Sequence, residues 1–211
     1  MLPEPLRRRL LLAAAGVLLA ACGKAPKPPR LAPGSTVLAF GDSVTYGTGA
    51  GPGEDWPTRL AAATGWRVIN AGLPGDTAAA AGERLAPLLA AEPPALVIVE
   101  LGGNDFLRRR PSTAVKEDIR QIVRRAAAGG TRVVLVAVPE LSLLGALTRR
   151  PSDSPIYREL ADEEGIPVIE SVFSDILGQP ELCADQIHPN AEGYRRMAEG
   201  LLAGLRRIGL Y

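Results

Sequence analysis

Short apolar runs that alternate with helical stretches predict an α/β fold, a parallel sheet held between two layers of helices. Three observations carry this expectation. The apolar runs are continuous, as in strands buried on both faces. Each run closes on glycine or on turn residues, as strand-to-helix connections do. The chain has 211 residues, 46% hydrophobic and 22% charged, which suits one globular domain and leaves no room for two sizeable cores.

The elements follow in order. Thr36–Gly41 is a short apolar run ended by a turn, and Trp56–Thr64 has helical character and stops at Gly65. Arg67–Gly72 (RVINAG) is a strand ending in glycine, and the alanine-rich Thr77–Ala91 is a helix that stops before Pro93-Pro94. Ala95–Leu101 (ALVIVEL) is a continuous apolar strand followed by Gly102-Gly103. In Thr113–Ala128, Val115, Ile119, Ile122 and Val123 share one face at helical spacing, with Gly129-Gly130 as the stop. Arg132–Val138 is another buried strand, Ser154–Glu164 a helix, Ile166–Glu170 a fifth short strand and Ala191–Arg207 a closing amphipathic helix. Right-handed crossovers then put helices on both faces, giving a three-layer α/β/α sandwich. No internal repeat and no second domain is visible.

Composition excludes several function classes. A formal charge of +1 gives no global attraction to nucleic acid or to anionic membrane. Aromatic residues make up only 4% of the chain, which argues against stacking platforms for single strands. Two cysteines and one histidine cannot build a disulfide framework, a zinc finger or a His-rich metal site. A metal held by carboxylates alone is left open, but neither a metal nor a cofactor is expected. Any histidine chemistry has to happen at His188.

Residues 1–21 read as an address and not as fold. Arg7, Arg8 and Arg9 precede an apolar stretch from Leu10 to Ala21. Its twelve residues cover about 18 Å as a helix, short of the ~30 Å hydrocarbon core. The stretch ends in Leu19-Ala20-Ala21-Cys22, which looks like the lipobox of bacterial lipoproteins; the alternative is an ordinary secretory signal with an incidental cysteine. Lipidation is expected at Cys22, and Gly23 resembles the pattern of lipoproteins sent to the outer membrane. Residues 22–35 then form a tether, whose four prolines, two glycines and three cations after Cys22 cannot bury a core. Residues 36–211 are the folded domain. Loss of residues 1–21 removes Glu4 and three arginines and leaves a net charge of −1, with Cys183 the one other cysteine and so no internal disulfide. The expected setting is the cell envelope, facing the periplasm on a lipid anchor, as a monomer.

Four segments follow or close these elements. Gly41-Asp42-Ser43-Val44-Thr45 follows the first strand, Asn70-Ala71-Gly72 closes the second, and Gly102-Gly103-Asn104-Asp105 follows the third. Asp185-Gln186-Ile187-His188-Pro189 precedes the last helix. In an open α/β sheet, ligands sit beyond the carboxyl ends of strands where strand order reverses. If the first strand lies between the second and third, the four segments converge on one crevice. A serine hydroxyl needs a base within about 2.6–3.2 Å to attack, and His188 is the one imidazole available. Asp185, three residues upstream, can orient that ring through a tight turn. The residues thus point to a Ser/His/Asp hydrolytic site. The plainer alternatives are a helix-capping serine, a helix-start histidine and a turn aspartate.

The four segments, in this order, resemble the consensus blocks of the SGNH hydrolase family, also called GDSL esterases and lipases. The resemblance runs from about residue 36 to the end of the chain. It is greatest to the bacterial envelope enzymes described as multifunctional acyl-thioesterase, lysophospholipase and arylesterase. It implies a flavodoxin-like sandwich with a five-stranded parallel sheet, the catalytic residues Ser43, Asp185 and His188, and a small-molecule acyl ester or lipid as substrate. It also implies an oxyanion hole made by the Ser43 N–H, the Gly72 N–H and the Asn104 side chain. For Gly72 the alternative is a plain strand-ending turn, and for Asn104 an Asx turn. Asp42 is expected to fix its turn by accepting backbone hydrogen bonds and not to act in catalysis. Two other functions stay open: a deacetylase of envelope polysaccharide, and a non-catalytic tethered binding module.

Three further features invite a function but have plainer readings. Gly47–Gly51 (GTGAG) lacks the lysine and threonine of a phosphate loop and is expected to form a mobile rim of the cleft. Arg108-Arg109-Arg110 is read as a solvated cationic turn, with anionic lipid or coenzyme phosphates as the functional alternative. Leu141–Leu147 (LSLLGAL) is either a core helix turn or a wall of the acyl pocket. Position 45 is threonine, so no G-x-S-x-G elbow surrounds Ser43, which counts against an α/β-hydrolase fold.

Overall fold

A computed structural model describes residues 29–140 and 151–211. Five strands form one parallel sheet: β1 (Thr36–Gly41), β2 (Arg67–Gly72), β3 (Leu96–Glu100), β4 (Arg132–Val136) and β7 (Val168–Ile169), in the order β2-β1-β3-β4-β7. Val37–Phe40 and the whole of β3 are buried, because helices cover both faces of the sheet. The three-layer sandwich expected from the sequence is the observed architecture.

The crossovers are α2 (Trp56–Thr64), α3 (Ala78–Ala91), α5 (Ser112–Ala127) and α6 (Ile156–Glu164), and α8 (Ala191–Arg207) closes the chain. Local chemistry sets their ends. Asp55 caps α2 by accepting the Thr58 N–H at 2.9 Å, and Gly65 ends that helix with φ of 71°. Val115, Ile119, Ile122 and Val123 of α5 all face the core, as their spacing predicts. Trp56, Tyr157 and Tyr194 are the largest fully buried side chains; Tyr157 donates to the Leu101 carbonyl at 2.6 Å and Tyr194 to the Thr48 carbonyl at 2.8 Å.

The sheet contains the reversal on which the site depends. From β1 the chain steps to β2 on one side, then crosses back to β3 on the other. The segments leaving β1 and β3 therefore diverge at the carboxyl edge, where a crevice opens.

Several short elements exceed what periodicity could resolve. These are α1 (Ser43–Tyr46), α4 (Gly103–Leu107), α7 (Val172–Leu177), a 3₁₀ turn at Pro180–Leu182, and an antiparallel pair of β5 (Pro139–Glu140) with β6 (Ser152–Asp153). One or two turns of helix cannot display a 3.6-residue repeat. The last strand pairs over two residues where five had the apolar pattern, and Leu141–Leu147 lies outside the described residues. Among the described residues no helix is long and apolar enough to cross a membrane.

Candidate active site

Ser43 is the first residue of α1, at the carboxyl end of β1. Asp42 caps that helix, its Oδ1 accepting the Val44 N–H at 3.0 Å. The turn is tight because β1 and β2 both approach it closely. A Cβ on Gly72 would lie 2.1 Å from the Tyr46 nitrogen, and one on Gly41 would lie 2.0 Å from Thr45 Oγ1.

His188 comes from the loop before α8, a stretch closed by the Ala184 N–H bonding the His188 carbonyl at 2.9 Å and by a bridge between Cys183 and Pro189. Its Nε2 lies 2.9 Å from Ser43 Oγ, and its Nδ1 lies 2.7 Å from Asp185 Oδ2. Asp185 Oδ1 accepts the Ile187 and His188 backbone N–H groups, each at 2.8 Å. Asp185 therefore makes an Asx-type turn with one oxygen and orients the imidazole with the other. Partial burial pushes its carboxyl upward, but the hydrogen bonds from the His188 ring and the two amides outweigh this and hold it below the ordinary aspartate value. An ionised Asp185 fixes the proton on Nδ1 and leaves Nε2 to accept from Ser43 Oγ.

Asn104, the second residue of α4, faces the same turn from the end of β3. Its Nδ2 donates to Asp42 Oδ2 at 3.2 Å and to the Asp76 carbonyl at 2.9 Å. The expected donor at Gly72 is corrected by the structure. The Gly72 N–H donates at 3.0 Å to Asn70 Oδ1 in its own strand, and glycine is needed there because α1 packs on it. Three residues on, Gly75 precedes the Asp76 carbonyl that Asn104 holds. Its N–H, like that of Ser43, has no acceptor among the described residues.

Two buried acids lie beneath Ser43. Burial raises the Asp42 carboxyl to about 6, against the opposing effects of the Val44 amide, His188 and Asn104. Glu100, the last residue of β3, is fully buried and accepts the Thr45 hydroxyl at 2.8 Å, while its Oε1 has no partner among the described residues. Burial, then the nearby Asp42, pushes Glu100 well above the ordinary glutamate value. The sequence reading passed over it, although a carboxylate in the run ALVIVEL was a signal that something polar had to meet it.

The remaining features sort themselves by contact. Gly49, with φ of 98°, backs onto the His188 loop: a Cβ there would lie 2.5 Å from the Pro189 carbonyl oxygen. With Thr48 held by Tyr194, the glycine-rich stretch is packed in place instead of standing free as a rim. In the arginine triplet, Arg110 bonds Asp105 and Asp118, Arg108 donates to the Gly75 carbonyl at 3.1 Å, and Arg109 is exposed. Arg110 is thus tied into the fold, while Arg108 and Arg109 are both exposed, as a solvated turn expects. Among the described residues no group of three His, Cys, Asp or Glu side chains is placed to hold a metal. A cavity of about 480 Å³ between α7 and α8, lined in part by Glu170, Ile176, Leu182 and Arg207, contains none of the site residues.

The sequence profile of the GDSL-like Lipase/Acylhydrolase family matches residues 39–196, a span that includes all four segments. The chain belongs to this family. It is 30% identical over 198 residues to "Esterase TesA" of Pseudomonas aeruginosa, covering 91% of this chain and 98% of that protein. It is also 30% identical over 186 residues to the "Thioesterase 1/protease 1/lysophospholipase L1" of Escherichia coli K12, covering 85% and 87%. The crystal structure of TesA superposes with a TM-score of 0.71 at 31% identity, over 82% of this chain and 99% of that one. Family and fold together make the protein a serine hydrolase acting on ester bonds.

Two outcomes follow from this geometry. Glu100 keeps its proton in the fold at pH values where the glutamate of an unfolded chain has lost it. The unfolded state then binds fewer protons, and this group's contribution to stability falls as pH rises above about 4.5. Glu100→Gln removes that slope, so urea midpoints should show the variant gaining on wild type between pH 5 and pH 8; a gap independent of pH would mean an ordinary glutamate. Gly49→Ala should lower stability by about 1–3 kcal/mol through backbone strain and contact with Pro189, and ester turnover should fall with it as the His188 loop is displaced.

Proposed function

We propose that this ester hydrolase works through an acyl-enzyme on Ser43. One observation carries the reading: an unbroken hydrogen-bond chain runs from Ser43 Oγ through the His188 imidazole to Asp185. As Ser43 attacks the acyl carbonyl, its proton passes to Nε2, and Asp185 stabilises the imidazolium. That proton goes on to the departing alcohol or thiol. Water, activated by the same nitrogen, then releases the acid and restores Ser43. Charge developing on the carbonyl oxygen is met by the N–H groups of Ser43 and Gly75 and by the Asn104 amide. To donate, Asn104 gives up the longer of its two contacts, that to Asp42. Each such donor is worth about 3–4 kcal/mol.

The surroundings favour apolar acyl or aryl groups. Among the described residues the exposed large hydrophobic side chains are Tyr46 (58%), Leu73 (49%) and Leu107 (42%). Tyr46 shares α1 with Ser43, Leu73 bonds the Gly41 carbonyl through its N–H, and Leu107 lies one turn from Asn104. Aryl esters, lysophospholipids and acyl thioesters, the substrate classes that related proteins are named for, all offer such a group. This apolar border favours them over an acetylated polysaccharide.

The mature chain begins, on this reading, at a lipid-bearing Cys22 and faces the periplasm. Leu31 donates its N–H to the Leu210 carbonyl at 3.0 Å, and the Pro29 carbonyl accepts from Arg132 at the start of β4. The tether therefore meets the domain at the amino edge of the sheet, about 20 Å of strand away from the catalytic edge. An anchored molecule presents its crevice away from the attachment point, toward esters arriving through the aqueous phase.

Ser43→Ala should lower kcat on p-nitrophenyl butyrate by at least about 10³-fold with the melting temperature little changed, and a phosphonate ester should label wild type but not the variant. Full turnover by the variant in a clean preparation removes Ser43 from the mechanism. The membrane-extracted protein should carry an acyl adduct at Cys22 by intact mass, and Cys22→Ser should release the chain from the membrane fraction; a variant still bound to membrane rejects the anchor.

A further inference from the structure

We propose that Arg84 is a positioning residue for the oxyanion side of the site, its guanidinium tying the ends of β1 and β2 to the loop that faces Asn104. This rests on the Ser43 acyl-enzyme reading. Arg84 sits midway along α3 and reaches up to the carboxyl edge of the sheet, touching neither Ser43 nor His188. Its Nη2 donates to the Gly41 carbonyl at 2.8 Å and its Nη1 to the Ala71 carbonyl at 2.8 Å. Its Nε donates to Asp76 Oδ2 at 2.6 Å, and its Cζ lies 4.5 Å from the centroid of the Phe40 ring. The guanidinium thus uses its planar fork in three directions at once, while one face rests on an aromatic ring.

What it binds is informative. Gly41 is two residues before Ser43, so its carbonyl fixes where the nucleophile's turn leaves β1. Ala71 fixes where β2 ends and the loop to α3 begins. Asp76 is the residue whose main-chain carbonyl holds the Asn104 amide, and it directly follows Gly75. Two of the three oxyanion donors, the Ser43 and Gly75 N–H groups, therefore sit one or two residues from an atom that Arg84 holds, and the third bonds the main chain of Asp76. The imidazole and its aspartate are held independently by the loop before α8. Arg84 consequently sets the alignment of the donors to the carbonyl oxygen and leaves the proton relay alone. A donor misplaced by about 1 Å can reduce a rate by about 10²-fold.

The test uses the mature chain with Arg84→Met and Arg84→Lys, assayed on p-nitrophenyl butyrate below their melting temperatures. Expected for Arg84→Met is a fall in kcat of about 10–100-fold with KM within about threefold of wild type. The rate of phosphonate labelling at Ser43 should fall in step, because that adduct also places an oxygen in the hole. The acid limb of the pH profile should not move, because Arg84 bonds Gly41, Ala71 and Asp76 and touches neither His188 nor Asp185. Arg84→Lys keeps the charge but not the fork, so it should recover only part of the loss. A folded Arg84→Met whose kcat stays within twofold of wild type overturns the proposal. So does a loss accompanied by a displaced acid limb, which would put the damage in the relay. Should Arg84→Met fail to fold, Asp76→Asn, which removes the ion pair and keeps both carbonyl contacts, is judged by the same readouts. A wild-type chain that neither turns over ester nor takes the label fails on the Ser43 reading itself, whereas an active wild type with an equally active variant fails only the role of Arg84.

Discussion

One hydrogen bond joins side chains 145 positions apart, Ser43 Oγ to His188 Nε2, and the fold is the device that makes this contact possible. The serine leaves the sheet at the end of β1; the histidine arrives at the same edge on the loop that leads into α8. Neither segment could hold the geometry alone. The reversal of strand order around β1 opens the crevice, and the sheet between them supplies the rigid reference that both loops share. Because the Cys183–Pro189 bridge and the Ala184 N–H close the histidine loop on itself, its position is set by local contacts and by its seat against Gly49.

The Ser43 turn is fixed by proximity more than by its own propensity. Four residues of helix contribute little stability by themselves. Asp42 caps α1, Thr45 is bonded to Glu100 beneath it, and the backbones of Gly41 and Gly72 press against it where no Cβ fits. A serine so constrained needs little reorganisation before it attacks, which is the physical content of preorganisation. The same closeness explains why the β1 end takes an outside clamp: the Gly41 carbonyl, which already accepts the Leu73 N–H, and the Ala71 carbonyl both receive a further donor from a guanidinium on the covering helix.

Much of this was legible in the sequence, and the exceptions have physical causes. Continuous apolar runs revealed the buried strands because a parallel sheet hides both faces. Ser43, Asn104, Asp185 and His188 could be singled out because each sits at a fixed offset from a strand end or helix start. Gly72 was assigned a donor's role that its N–H, spent on Asn70, cannot fill. A sequence records that a glycine is present, whereas the reason for it here is a helix nitrogen 2.1 Å from where a Cβ would stand. Gly75 was overlooked because a loop glycine with no strand next to it carries no pattern. Arg84 was invisible for a related reason: on an alanine-rich helix an arginine reads as solvent-facing until the carbonyls above it are known.

Two carboxyl environments on either side of one imidazole decide which acid serves it. Asp42 and Asp185 both lie close enough to His188 to feel its charge. Asp42 is wholly buried, and burial raises it to about 6; its oxygens are committed to the Val44 amide and to Asn104. Asp185 stands at the edge, keeps access to water and gathers two backbone amides, so it stays ionised where an imidazolium needs a counter-charge. Were the two environments exchanged, the relay would face an acid partly protonated near neutrality, and the tautomer that leaves Nε2 ready for the serine would no longer be enforced. Division of labour between similar side chains is therefore set by how much water each retains. The depth of Asp42 suits it to hold a turn, and the exposure of Asp185 suits it to hold a charge.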